Sequence, residues 1–322
     1  MAAPRRLSVM LSALRCQQRP APAPTAAQEP PPFAADYAEA RSELHRRCEA
    51  LGGELTRYPH PLPGPDGEEI SMDVVCLGPS DAPKCLILFS AVHGLEGLAG
   101  SAAQMAWLSS PQASALPPGV KVIVVHGVNC WGFAWRSRLT EDGVDLNRNF
   151  VDHANPPLNE RYELYRHLTP FTDASQAGVD AFREGMREAG KDLDAASASS
   201  GSNGGQYHDP KGITFGGQAR KCSGPFPSSD SSKLTEAVLV HVMCAAACWS
   251  NTTVRKLVRE HAGHAQKVVV IDWHTGVGAY NDVAYLFMHP FVRTTRTNIS
   301  ETWIVQMISR NLRANRATRC RR

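Results

Sequence analysis

The residues best suited to chemistry are His93 and Glu96, three positions apart in His93-Gly94-Leu95-Glu96-Gly97, and His274 in Asp272-Trp273-His274-Thr275-Gly276. Neutral imidazole and carboxylate are preferred ligands of zinc, and a catalytic zinc site takes three protein ligands and leaves a fourth position open. A short gap between two ligands and a long gap to the third fits that arrangement. Asp272 is then close enough to orient the loop or to support His274. An H-x-x-E pair alone says little, because chance produces it often. It gains weight from a second ligand-type residue that also stands beside a glycine. The block Gly143-Val144-Asp145-Leu146-Asn147-Arg148-Asn149-Phe150 adds an amide and a fork-shaped guanidinium, Asn147 and Arg148, suited to holding a carboxylate bidentately. Arg136 and Arg138 either polarise a carbonyl oxygen and share in substrate binding, or form a surface ion-pair network with Glu141, Asp142 and Asp145.

These residues follow short apolar runs. Residues 85–92, 120–125 and 267–271 are nearly all apolar and rich in Val, Ile or Leu, as strands covered on both faces are. The flanking glycines are read as loosening the strand end so that His93 and Glu96 turn to one point. Residues 70–77 alternate like an edge or half-buried strand. Helical spacing is expected over residues 37–51, 98–109, 159–167, 180–195 and 232–249. Strands alternating with helices predict an α/β fold whose chemistry lies at the C-terminal strand ends. A Ser/Gly-rich loop over residues 196–227 either lines the pocket or connects helices. His126, at a strand end, is expected to be structural.

Bulk properties set outer bounds. The 322 residues carry 34 basic and 31 acidic side chains, net +3, which gives no global reason to bind nucleic acid or an anionic membrane. Nine scattered cysteines without a C-x-x-C pair speak against a disulfide framework and for a reducing compartment. No run reaches the ~18 apolar residues of a membrane span, and residues 237–249 read as a buried helix with Cys244 and Cys248 as small core residues. The first 36 residues, basic and free of acids before Glu29 and then proline-rich, fit an organelle transit peptide or a disordered tail, hence a cytoplasmic or mitochondrial protein that is not secreted. Residues 37–290 form the expected catalytic domain, and 291–322 an arginine-rich tail of different composition. No G-x-S-x-G elbow exists, and Gly185–Lys191 lacks the Ser/Thr a phosphate-binding loop requires.

Four ordered stretches, SAVHGLEGLAGSA (Ser90 to Ala102), RLTEDGVDLNRNF (Arg138 to Phe150), GQYHDPKGITFGG (Gly205 to Gly217) and DWHTGVGAY (Asp272 to Tyr280), resemble the DUF2817 branch of the zinc carboxypeptidase superfamily that also holds aspartoacylase and succinylglutamate desuccinylase. The resemblance implies a mixed, mostly parallel central sheet with helices on both faces, incomplete at the C-terminus. It implies one Zn2+ per chain on His93, Glu96 and His274, substrate-carboxylate contacts at Asn147 and Arg148, and an oxyanion-stabilising arginine at Arg136 or, preferably, Arg138. The implied activity is hydrolysis of an amide next to a free carboxylate, in a small peptide or an N-acyl amino acid. The superfamily's general base is a glutamate on a late strand. Glu301, the single acid of the arginine-rich end, is the residue that would fill that role. The alternative is a truncated, catalytically impaired zinc-binding homologue without that base.

Overall fold

In the computed structural model the described residues are 33–166, 176–194, 201, 204–212, 214–220, 245–275, 283–287 and 302–309. The apolar runs become β3 (Lys84–Phe89), β4 (Val120–His126) and β7 (Lys267–Thr275). They are apolar throughout because both faces are covered. On one face Ile87, Ile123, Val125, Val268 and Val270 pack with Val254, Leu257 and Ala262 of helix α6 (Trp249–Ala262). On the other, Leu88, Val122 and Val124 pack with Leu44 and Cys48 of α1 (Tyr37–Ala50) and with Met105 and Leu108 of α2 (Gly97–Leu108). The split follows the two-residue period of a strand.

With β1 (Glu54–Pro59), β2 (Ser71–Leu77), β8 (Val283–Phe287) and β9 (Thr302–Ser309), the sheet runs in the order β1-β2-β4-β3-β7-β9-β8. β4, β3, β7 and β9 are mutually parallel, and the pairings β1–β2, β2–β4 and β9–β8 are antiparallel. This is the expected mixed sheet with helices on both faces. Its register matters for the site: Phe89 lies beside Asp272, so the chain leaving β3 and the last residues of β7 meet at one sheet edge.

Several elements differ from expectation. β2 is an interior strand with all seven residues buried. Its polar positions face α1 rather than water: Asp73 accepts from Arg41 Nε at 2.8 Å and pairs with His45, and the Ser71 carbonyl accepts from the Tyr37 hydroxyl. Residues 159–166 make only a 3-10 turn, Tyr162–Leu164, with residue 167 outside the described residues. The helix expected over residues 232–249 lies outside the description up to residue 244. Its described end is the strand β6 (Ala245–Ala246), paired with β5 (Ala219–Arg220), after which α6 begins at Trp249. Cys248 is a buried residue at the start of α6. β7 runs four residues beyond the expected end at 271, which puts His274 on the strand itself.

Within the arginine-rich segment, Thr302–Ser309 pair with β7 in parallel. Residues 1–32 lie outside the described residues, and Asp36 caps α1 by accepting from Glu39 N. Helix α5 (Gln176–Ala189) takes in most of the Gly185–Lys191 run, with ion pairs Asp180–Arg183, Glu184–Arg187 and Glu188–Lys191 along its exposed surface. No helix among the described residues is long and apolar enough to cross a membrane.

Candidate metal centre

The site begins where β3 ends. Ala91, fully buried, holds a left-handed backbone (φ 59°), a conformation that costs a non-glycine residue about 1 kcal/mol. Two bonds from the loop after β4 hold it there, Val128 N to the Ser90 carbonyl and Asn129 N to the Ala91 carbonyl. The chain then makes the 3-10 turn Gly94–Glu96 and enters α2. Its glycines do not loosen the turn. A Cβ on Gly94 would lie 2.1 Å from the Gly132 carbonyl carbon, and one on Gly97 would lie 2.5 Å from the Phe133 ring. Helix α4 (Cys130–Ala134) packs directly on the turn, and only glycine permits that approach.

His93, Glu96 and His274 converge. Their ligand atoms all lie within 4.8 Å of one another, and both histidines are about 5% exposed. Glu96 is central: Oε1 lies 2.8 Å from His93 Nδ1, and Oε2 lies 3.2 Å from His274 Nδ1 and accepts from Thr275 N at 2.6 Å. Each imidazole turns its other nitrogen to a buried carboxylate, His93 Nε2 to Asp145 at 3.0 Å and His274 Nε2 to Asp272 at 2.7 Å. Asp272 and His274 share a face of β7 because they are two residues apart.

Burial would raise the Glu96 carboxyl, but the hydrogen bonds from His274 and His93 prevail and hold it far below the usual range. Asp145 is held down likewise, its burial outweighed by His93 and by the nearby guanidinium groups of Arg138 and Arg148. His274 goes the other way: burial opposes its charge, yet Asp272 and Glu96 raise it to about 10.

The donor set fits a divalent cation. In the neutral imidazoles that a cation takes, Nε2–H is directed to Asp145 or Asp272, and each Nδ1 turns a lone pair, in place of the hydrogen it gives Glu96 when charged, to the cation. Three carboxylates (Glu96, Asp145, Asp272) against the Arg138 guanidinium leave two negative charges when both imidazoles are neutral, before Arg148 is counted. Two nitrogens on a tetrahedral zinc stand about 3.3 Å apart, so movements of roughly 1 Å draw the three donors together.

Of the two arginines upstream, Arg138 reaches the centre. Its Nη2 and Nε donate to Asp145 Oδ2 at 3.1 and 3.3 Å, and its Nη1 lies 3.7 Å from Glu96 Oε1. Arg136 is exposed. Asn147 and Arg148 sit half-buried on the 3-10 turn Leu146–Arg148, which Asp145 Oδ1 caps at Asn147 N. Part of the Ser/Gly-rich loop clasps this turn: the Tyr207 hydroxyl donates to the Arg148 carbonyl, and Asn149 Nδ2 donates to the Gly216 and Gly217 carbonyls. Asp145, read from sequence only as an ion-pair partner, is the shared support of His93, Arg138 and Asn147. Its place two residues before Asn147 in the motif was the available signal. Glu301 lies outside the described residues, and Thr302 pairs with Val268, near the start of β7 rather than beside His274. His126 is buried, with Nε2 3.0 Å from the Ser101 hydroxyl.

A family model described as "Protein of unknown function (DUF2817)" matches residues 33–226 and 244–321 and so takes in most of the arginine-rich segment. No curated protein matches the chain. Among solved structures, similarity is found to carboxypeptidase A from Helicoverpa armigera (11% identity, 73% of this chain and 45% of that one, TM-score 0.34). It is also found to a Zn-dependent exopeptidase from Parabacteroides distasonis (16%, 41% and 59%, TM-score 0.22). A third is glutaminyl cyclase from Fimbriiglobus ruber (18%, 30% and 38%, TM-score 0.22). The chain thus spans between 38% and 59% of these proteins' lengths, and with TM-scores this low none of the three bears on what it does.

Proposed function

The chain belongs to the DUF2817 family, and from that premise and its own buried donor set we propose a zinc-dependent hydrolase that cleaves an amide next to a free carboxylate, in a small peptide or an N-acyl amino acid. The observation that carries the proposal is the convergence of His93, Glu96 and His274, each histidine backed by a carboxylate. Zinc held there supplies Lewis-acid activation of a carbonyl and of water. The remaining roles belong to the chain. Asp145 and Asp272 fix the tautomers of His93 and His274. Arg138 presents its guanidinium beside Glu96, where it can receive the negative charge that develops on the carbonyl oxygen. Asn147 and Arg148 hold the substrate carboxylate. The amide C–N bond breaks, water giving its hydroxyl to the carbonyl carbon and its proton to the departing amine.

A second reading, metal binding without hydrolysis, is favoured by one observation. Among the described residues the carboxylates of the centre, Glu96, Asp145 and Asp272, are each engaged with a histidine, which leaves the proton-transfer role to a group outside them. Metal analysis of the purified chain decides the first point. About one zinc per chain is expected, lost in His93→Ala, Glu96→Ala and His274→Ala, and unchanged occupancy in all three would remove the proposal. Hydrolysis of a panel of N-acyl amino acids and short peptides by the loaded chain separates the two readings.

A further inference from the structure

Arg148 is seated against bare backbone of the loop that clasps its turn. A Cβ on Gly216 would lie 2.6 Å from Arg148 Cβ and 2.4 Å from its carbonyl oxygen, and one on Gly205 would lie 3.2 Å from both Arg148 Cβ and Cδ. Only glycine leaves room for the stem at these two positions. The Tyr207 hydroxyl completes the slot, donating to the Arg148 carbonyl at 2.9 Å and standing 2.7 Å from where a Gly205 Cβ would be. At the far end Nη1 donates to the Asn147 carbonyl at 3.1 Å, which holds the guanidinium beside its own turn. The loop is braced from within by Gln206, 1% exposed. Its Nε2 donates to the Asp209 carbonyl, its Oε1 accepts from His208 N and Asp209 N, and its main chain bonds to Thr214 and Gly216. Asn149, buried, ties the same loop to α6 by accepting from Asn251 Nδ2 at 2.8 Å. An arginine ordered in this way loses less freedom when it takes up a carboxylate than one that swings freely.

We propose that Tyr207 is a positioning residue that, in the slot it forms with Gly205 and Gly216, sets Arg148 for the substrate carboxylate. Selection of a free carboxylate over its neutral amide then depends on the Tyr207 hydroxyl, although that hydroxyl touches only the Arg148 main chain. The inference rests on the hydrolase reading above and adds to it the group that sharpens recognition of the carboxylate.

Calorimetric titration of the zinc-loaded full chain with N-benzoylglycine and with N-benzoylglycinamide tests it, with hydrolysis of the panel of N-acyl amino acids and short peptides followed in parallel. The acid is expected to bind more tightly than the amide. The ratio of the two affinities is expected to fall about three- to tenfold in Tyr207→Phe, the equivalent of one net hydrogen bond. A merely structural role for the tyrosine would weaken acid and amide alike and leave the ratio where it was. Gly205→Ala, whose methyl group meets both the Arg148 stem and the Tyr207 hydroxyl, is the second variant and decides by the same ratio if Tyr207→Phe fails to take up zinc. Equal affinity for acid and amide in the unaltered protein, or an unchanged ratio in the variant, overturns the inference. Hydrolysis of the panel with the ratio unchanged removes the positioning role and leaves the hydrolase. A ratio that falls without hydrolysis of any panel member removes the hydrolase and leaves the Arg148 slot.

Discussion

Asp145 concentrates three tasks in one carboxylate. Oδ1 accepts from His93 Nε2 and from Asn147 N, and Oδ2 accepts from Arg138. His93, the Arg138 guanidinium and the turn that carries Asn147 and Arg148 therefore share one fully buried group. Replacing it with asparagine keeps the size but removes the charge and half of the acceptor capacity. Asp145→Asn is expected to weaken zinc binding about 10- to 100-fold, measured by competition with a chromophoric chelator. An affinity within twofold of the unaltered protein would show that His93 does not depend on this support. Gly94 is as constrained for a steric reason. A methyl group there runs into the backbone of α4, which cannot step aside as a side-chain tip can. Gly94→Ala is expected to cost about 2 kcal/mol or more in urea unfolding and to lose zinc with it.

At the scale of elements, the pairing of α1 with β2 shows how a polar strand position becomes interior. Asp73 has no exposed side-chain surface, and Arg41 and His45 reach it from α1. Its burial opposes the charge, but hydrogen bonds from Ser71, Arg41 and His45 keep its carboxyl below the usual range. Removing one partner of a buried ion pair strands the other. Arg41→Ala is expected to lower stability by about 3 kcal/mol, while the paired change Arg41→Met with Asp73→Leu costs less than Arg41→Ala alone. Equal losses in chemical denaturation would show that packing rather than charge carries the contact. The alternation of residues 70–77 was legible in the sequence, but not what covers its polar face, since the covering helix lies before the strand and identifies its partner only in three dimensions.

For the whole molecule, stability against pH follows from His126. The ring is fully buried against Ser101, Tyr37 and Phe133, and burial first of all lowers its pKa from 6.5 to about 4. A histidine whose folded pKa lies below its unfolded value contributes its full stability above pH 6.5, and that contribution falls away as pH drops toward 4, because the unfolded chain takes up the proton first. The shift corresponds to about 3 kcal/mol lost across that window. Unfolding free energies measured at pH 7 and pH 5 should therefore differ, and the difference should shrink in His126→Gln. The same difference in both proteins would assign the pH dependence to other groups.

The strands that both sheet faces bury, the α/β class, the ligand-type residues at strand ends, and α1 and α2 were legible in the sequence, because each is written in local periodicity or in residue chemistry within a few positions. What depends on contacts across long separations was not legible there. The Asn149 side chain is fixed by Gly216, Gly217 and Asn251, between 67 and 102 positions away, and α6 begins within the apolar run expected to end an earlier helix. The contacts of Arg138 with Asp145 and Glu96, the triple duty of Asp145 and the reason for glycine at 94 belong to the tertiary structure, because each depends on where a side chain or a hydrogen-bond partner lies in space once the sheet register is set.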